Sequence, residues 1–193
     1  MIRLVQRDST ACGPAVAVVA GSILDADYGT ELATGSWFAD EQDRVHEAAN
    51  RVWPKFWGTT PAGIARAFSV FAPYRWRLFR GLFGGRRDDL VDVIISVGAG
   101  LPVGMLIGNV IPRHWILFVE VVGDEFRTYE PSSGEMILVP FSSIRNSKLD
   151  ADAAGFSHPF AFVLPRRRPE LPHGDTTQAP EAPRIAQLTR LMS

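Results

Sequence analysis

Cys12 is the one cysteine among 193 residues, and it stands at the head of the run CGPAVAVVAGSIL. That run is small and apolar on nearly every side, which predicts a buried central helix over 12–24, with Pro14 in the first turn where no backbone donor is missed. A thiol at a helix N-terminus faces the positive end of the helix dipole, which favours thiolate and makes a nucleophile near neutral pH. Gln6, upstream, could donate a side-chain N–H beside the sulfur, and the backbone N–H of Cys12 a second, together an oxyanion hole. Far along the chain His114 opens the strongest strand signal and Glu130 closes the next, a base and a carboxylate to orient it. Such a set performs acyl transfer.

Taken singly, each of these residues has a plainer reading. A cysteine on a small-residue helix is commonly core filler, a strand-end histidine bonds to backbone, Glu130 before a proline is a turn residue, and Gln6 is an exposed polar side chain. The order Gln6, Cys12, His114, Glu130 is what turns the reading towards catalysis. His46, His158 and His173 read as solvated, and no pair of His or Cys residues has structural-zinc spacing, so neither metal nor cofactor is expected.

The elements that must bring the four together follow from pattern. A second helix is expected over 40–52, and Thr59, Thr60 and Pro61 signal the start of a third, so that three helices fill the first half. Residues 74–79 alternate as a short strand, 81–85 form a loop, and 88–97 form a fourth helix. Strand signals then take over in LPVGMLIG, HWILFVEV, EFRTYE, EMILVP and FAFVLP, separated by turn residues. Helices first and strands later indicate an α+β domain over 1–164 with a mainly antiparallel sheet. Residues 165–193, rich in proline and polar side chains, read as a disordered tail.

Register decides whether His114 and Glu130 can meet. A two-residue turn on Gly123 and Asp124 would pair Glu130 with Leu117 and send His114 to the other face of the sheet. A loop from Glu120 to Asp124 would set His114 directly opposite Glu130, with Ile116, Phe118 and Phe126 on the same face and Arg127 and Tyr129 on the other. The second register is the expected one, through an odd-numbered loop or a bulge.

Composition narrows the function. With 20 basic and 21 acidic residues the net charge is −1, which offers no footprint for nucleic acid or for attachment to an anionic membrane. A lone cysteine excludes an internal disulfide framework. No signal-like apolar run opens the chain and none is long enough to span a bilayer, so a cytoplasmic protein is expected.

The runs QRDSTACGPA from Gln6, TPAGIARA from Thr60, HWILFVEVVGD from His114 and YEPSSG from Tyr129 resemble the bacteriocin-processing (double-glycine leader) peptidases and their stand-alone relatives in the papain-like superfamily. The resemblance covers about residues 4–145. It implies a papain-like fold, with an N-terminal helical half carrying the nucleophile helix packed on the sheet. It further implies Cys12 as nucleophile, His114 as general base and acid, Glu130 as orienting carboxylate, Gln6 as oxyanion donor, and a peptide or protein substrate, a Gly-Gly leader among them. The family usually has Asp where this chain has Glu130, and often Asp where it has Ala11. The function so implied is a cysteine peptidase cleaving a peptide or isopeptide bond through an acyl-enzyme. The same apparatus also serves deamidases and transglutaminases, and the fold without turnover serves as a peptide-binding module. Leu82-Phe83-Gly84-Gly85 resembles a double-glycine cleavage site but reads as a flexible turn. Trp37, Phe38, Trp53, Phe56 and Trp57 read as core packing rather than a cleft wall, and Arg166 to Arg168 as a solvated linker.

Overall fold

The computed structural model describes residues 3–33, 37–49, 58–83, 87–149 and 155–166. The tail after Arg166, His173, the Gly84-Gly85 pair and Trp53, Phe56 and Trp57 lie outside the described residues.

Helix α1 runs Cys12–Leu24, as its small apolar run predicts, and every residue from Cys12 to Ile23 is buried. A helix apolar all round must be covered all round. Helices α2 (Ala26–Thr30), α3 (Trp37–Ala49) and α4 (Pro61–Phe68) do much of this. The Thr60 hydroxyl caps α4 by accepting from the Gly63 N–H at 3.1 Å, and Pro61 occupies the first turn. Among the described residues the first half therefore holds four α-helices where three were expected. The short α2 carries no apolar periodicity and is nucleated by Asp25, whose carboxylate accepts from the N–H groups of Asp27 and Tyr28.

Strand β1 (Tyr74–Leu78) precedes helix α5 (Val91–Gly98), after which come β2 (Val103–Gly108), β3 (Pro112–Val122), β4 (Glu125–Glu130), β5 (Glu135–Pro140), helix α6 (Phe141–Arg145) and β6 (His158–Pro165). All pairings in the six-stranded sheet are antiparallel, in the order β1-β6-β2-β3-β4-β5. The molecule is α+β. Alternation along the strands builds two cores. Trp115, Leu117, Val119 and Tyr129 pack with α1, α3 and α4, whereas Ile116, Phe118 and Phe126 pack with α5 and α6. β2 is buried at every residue because both faces are covered.

The β3–β4 register departs from the expected one. The hairpin turns tightly on Gly123, at φ +61°, and Asp124, with Val122 paired to Glu125. A bulge then shifts the register between Phe118 and Glu120, so that Phe118 faces Thr128 and Leu117 faces Tyr129. Carried onward, this sets Glu130 against Ile116, and His114 is its diagonal rather than its direct neighbour. The five-residue loop is absent. The bulge does the work assigned to it, because one extra residue returns His114 and Glu130 to the same parity.

Candidate functional site

Three separate stretches of chain meet at the start of β3. Cys12, the first residue of α1, is 2% exposed, and its Sγ lies 4.0 Å from the carbonyl oxygen of Arg113. Its neighbour explains how the helix comes so close: a side chain on Gly13 would strike Thr59 at 2.8 Å. Thr59 in turn accepts from the indole N–H of Trp115 at 2.9 Å, one residue beyond His114. The small-residue helix, the approach to α4 and β3 are thereby tied together beside the sulfur.

His114 Nε2 lies 2.7 Å from Glu130 Oε1, and both side chains are buried. Diagonal neighbours across an antiparallel pair stand about 7–8 Å apart at the backbone, a gap that the longer side chain of glutamate helps to close. The carboxylate is also held from its own turn. The Ser132 N–H and hydroxyl donate to Oε1 at 3.0 and 2.5 Å, and the Ser133 N–H donates to Oε2 at 2.8 Å. Burial alone would push Glu130 up, but His114 and these serine donors outweigh it and hold the carboxyl down at about 2. For His114, burial works against the charged ring. The neighbouring Cys12 and the hydrogen-bonded Glu130 carboxylate overcome it and raise the imidazole to about 9. The face of that ring stacks on Phe156, with centroids 5.4 Å apart and planes at 21°.

The N-terminal segment lays Gln6 against the turn that follows Glu130. Its N–H donates to the carbonyl of Pro131 at 2.7 Å, and the Tyr129 hydroxyl donates to the Leu4 carbonyl. Gly134, at φ +68°, ends the turn, and any side chain there would meet Val5 at 2.9 Å. The Gln6 side-chain N–H donates to the carbonyl of Asp8 at 2.9 Å, while its Oε1 is buried with no partner. Its donor therefore faces the loop before Cys12. At the head of α1, Ala11 offers no side-chain acceptor, so the first-turn N–H groups receive none from the cap.

Cys12, His114 and Glu130 are thus together, with Gln6 along the adjoining strand of chain. Sequence reasoning missed Ser132, Ser133 and Phe156. The first two were legible as the serines of an Asx-like turn after a carboxylate, and Phe156 as a lone aromatic in the small, polar run GFSH. His46 is buried at 6% exposure, against the expectation that it is solvated, whereas His158 is exposed as expected. His46 and its neighbours Glu41 and Gln42 lie on the inner face of α3, where polar side chains find partners: Glu41 accepts from Tyr28 and Arg44, and Gln42 from the Arg7 N–H.

Among the described residues, one acidic group, Asp88, Asp89 and Asp92, is close enough to hold a cation. Arg77 already lies against it, donating to Asp88 at 2.6 and 3.1 Å and to Asp92 at 2.8 Å twice. No helix among the described residues is long and apolar enough to cross a membrane. No family model and no curated protein matches the chain in sequence.

Proposed function

We propose that the protein is a papain-like thiol hydrolase that cleaves a peptide or isopeptide bond through an acyl-enzyme on Cys12. The observation that carries this reading is the buried His114–Glu130 hydrogen bond at 2.7 Å with Cys12 Sγ lying 4.0 Å from the carbonyl oxygen of Arg113, the residue before that histidine. A carboxylate held down at about 2 keeps the ring oriented across the physiological range.

In this mechanism the Cys12 thiolate attacks the scissile carbonyl, and the tetrahedral oxyanion is met by the Cys12 N–H and by Gln6 once its amide leaves the Asp8 carbonyl. His114 gives its proton to the leaving amine as the C–N bond breaks, leaving a thioester on Sγ. It then takes a proton from water, which attacks the thioester and releases the acid and the thiolate. Glu130 stays ionised throughout and opposes the positive charge on the ring. A Gly-Gly leader is one substrate of this kind, and a cytoplasmic setting, where a lone thiol stays reduced, suits the chemistry.

The test is incubation with peptide and isopeptide libraries, with mass spectrometry of both products and protein. Cleavage that disappears in Cys12→Ala, with an acyl mass trapped on Cys12, supports the reading. Amide-to-acid conversion of glutamine side chains without chain cleavage would replace it with a deamidase. A second reading, a peptide-binding module without turnover, is favoured by the 2% exposure of Cys12. Saturable peptide binding with no product would establish it.

A further inference from the structure

Hydrogen bonds to the two ring nitrogens of His114 lie in the plane of the imidazole, and they leave its faces to other groups. One face is covered by Phe156, stacked at 5.4 Å and 21°, the near-parallel arrangement rather than the edge-on one. Phe156 is itself placed with care for a loop residue. Its neighbour Ser157 is gripped from the β2–β3 turn, where Asn109 Oδ1 accepts from both the Ser157 N–H at 3.0 Å and the Ser157 hydroxyl at 3.1 Å. On the other side the Leu149 N–H donates to the Ser157 carbonyl at 3.2 Å, and the Ser157 hydroxyl also lies 2.6 Å from His158 Nδ1. Phe156 is partly buried and packs against the second core.

We propose that Phe156 is a positioning residue for the reaction, a ring that holds the His114 imidazole in the plane shared by Cys12 and Glu130 and keeps water off the pair, with Asn109 as the latch that sets it. This rests on the thiol-hydrolase reading above. Three physical effects favour it. A stacked ring blocks rotation of the imidazole out of the line between sulfur and carboxylate. It excludes water that would compete for the Glu130 contact, and bonds inside a water-poor site are stronger. Its electron-rich face also suits the imidazolium that the mechanism needs. An aromatic kept only to fill the core would have no call for a face-on approach to the one histidine bonded to Glu130.

The experiment measures the rate of Cys12 alkylation by iodoacetamide at pH 6 and at pH 10 in the full chain, and takes the ratio for each variant. The ratio cancels changes in access to the sulfur and reports its pairing with His114. In Phe156→Ala the ratio should fall on the order of tenfold, in keeping with the energies of stacked and cation-facing ring contacts, and Phe156→Tyr should restore it. Asn109→Ala should lower it in the same direction, and it carries the test if Phe156→Ala fails to fold. A parent chain with a high ratio and an unchanged ratio in Phe156→Ala, or in Asn109→Ala where that variant stands in, overturns the role of Phe156 and leaves the hydrolase reading intact. So does a Tyr variant no better than Ala. A parent chain with no elevated rate at pH 6 overturns both.

Discussion

Four hydrogen bonds converge on the Glu130 carboxylate, one from His114, two from Ser132 and one from Ser133. Because the folded carboxyl lies at about 2, below its ordinary 4.5, the stability it contributes is present above pH 4.5 and is lost as pH falls towards 2. His114 has the opposite sign. Raised from 6.5 to about 9, it contributes fully below pH 6.5 and loses that contribution as pH rises through 9. Under the proposed mechanism, in which the ring gives its proton to the leaving amine, turnover should decline on an alkaline limb near pH 9. Glu130→Asp withdraws the carboxylate by one methylene from a diagonal partner. Its activity should fall by roughly 100-fold while Ser132 and Ser133 still bind the shorter acid, a loss read from steady-state rates with the fold checked by circular dichroism. The proximity of His114 and Glu130 was legible from residue type, order and parity along the strands. Phe156 was not, since its partner is 42 positions away and no periodicity marks a single stacked ring.

At the scale of elements, the site depends on close approaches that only small residues permit. Gly134 both adopts φ +68° and lets the 3–6 segment lie against the turn that holds Glu130. Gly134→Ala should cost about 1–2 kcal/mol for the left-handed backbone, with more for displacing Leu4 and Val5, measurable by urea denaturation. The helix boundaries of α1 and the bounds of β4 and β5 followed directly from apolar runs and their turn residues. The register did not. In HWILFVEV every residue between His114 and Val119 is buried on one core or the other, so alternation carries no mark of the bulge that follows Phe118. Helix α3 starts at Trp37 rather than Asp40, and α5 at Val91 rather than Asp88. Asp88 instead binds Arg77 and accepts from the N–H groups of Arg80 and Leu90.

Across the whole molecule, the sheet separates two cores, and the site sits where its central strand β3 begins. The second core was less legible than the first, because α6 is only five residues long and its apolar contribution is two side chains, Phe141 and Ile144. That side is also secured by Arg77, which lies over Phe162 at 4.7 Å while bridging Asp88 and Asp92. Arg77→Met should destabilise the fold by roughly 3–5 kcal/mol at neutral pH, because two buried carboxylates lose their cation. The deficit should shrink on acidification, as measured by denaturation at pH 7 and pH 4, since the Asp92 carboxyl that Arg77 holds down then takes up a proton at less cost.

The most direct test of the pairing between Cys12 and His114 is the rate at which iodoacetamide alkylates the sulfur at pH 6, compared with a free thiol under the same conditions. The parent chain should react faster than the free thiol, and His114→Ala should lose that advantage by roughly 100-fold. A parent chain that reacts no faster than a free thiol, or a His114→Ala variant that reacts as fast as the parent, would contradict the account.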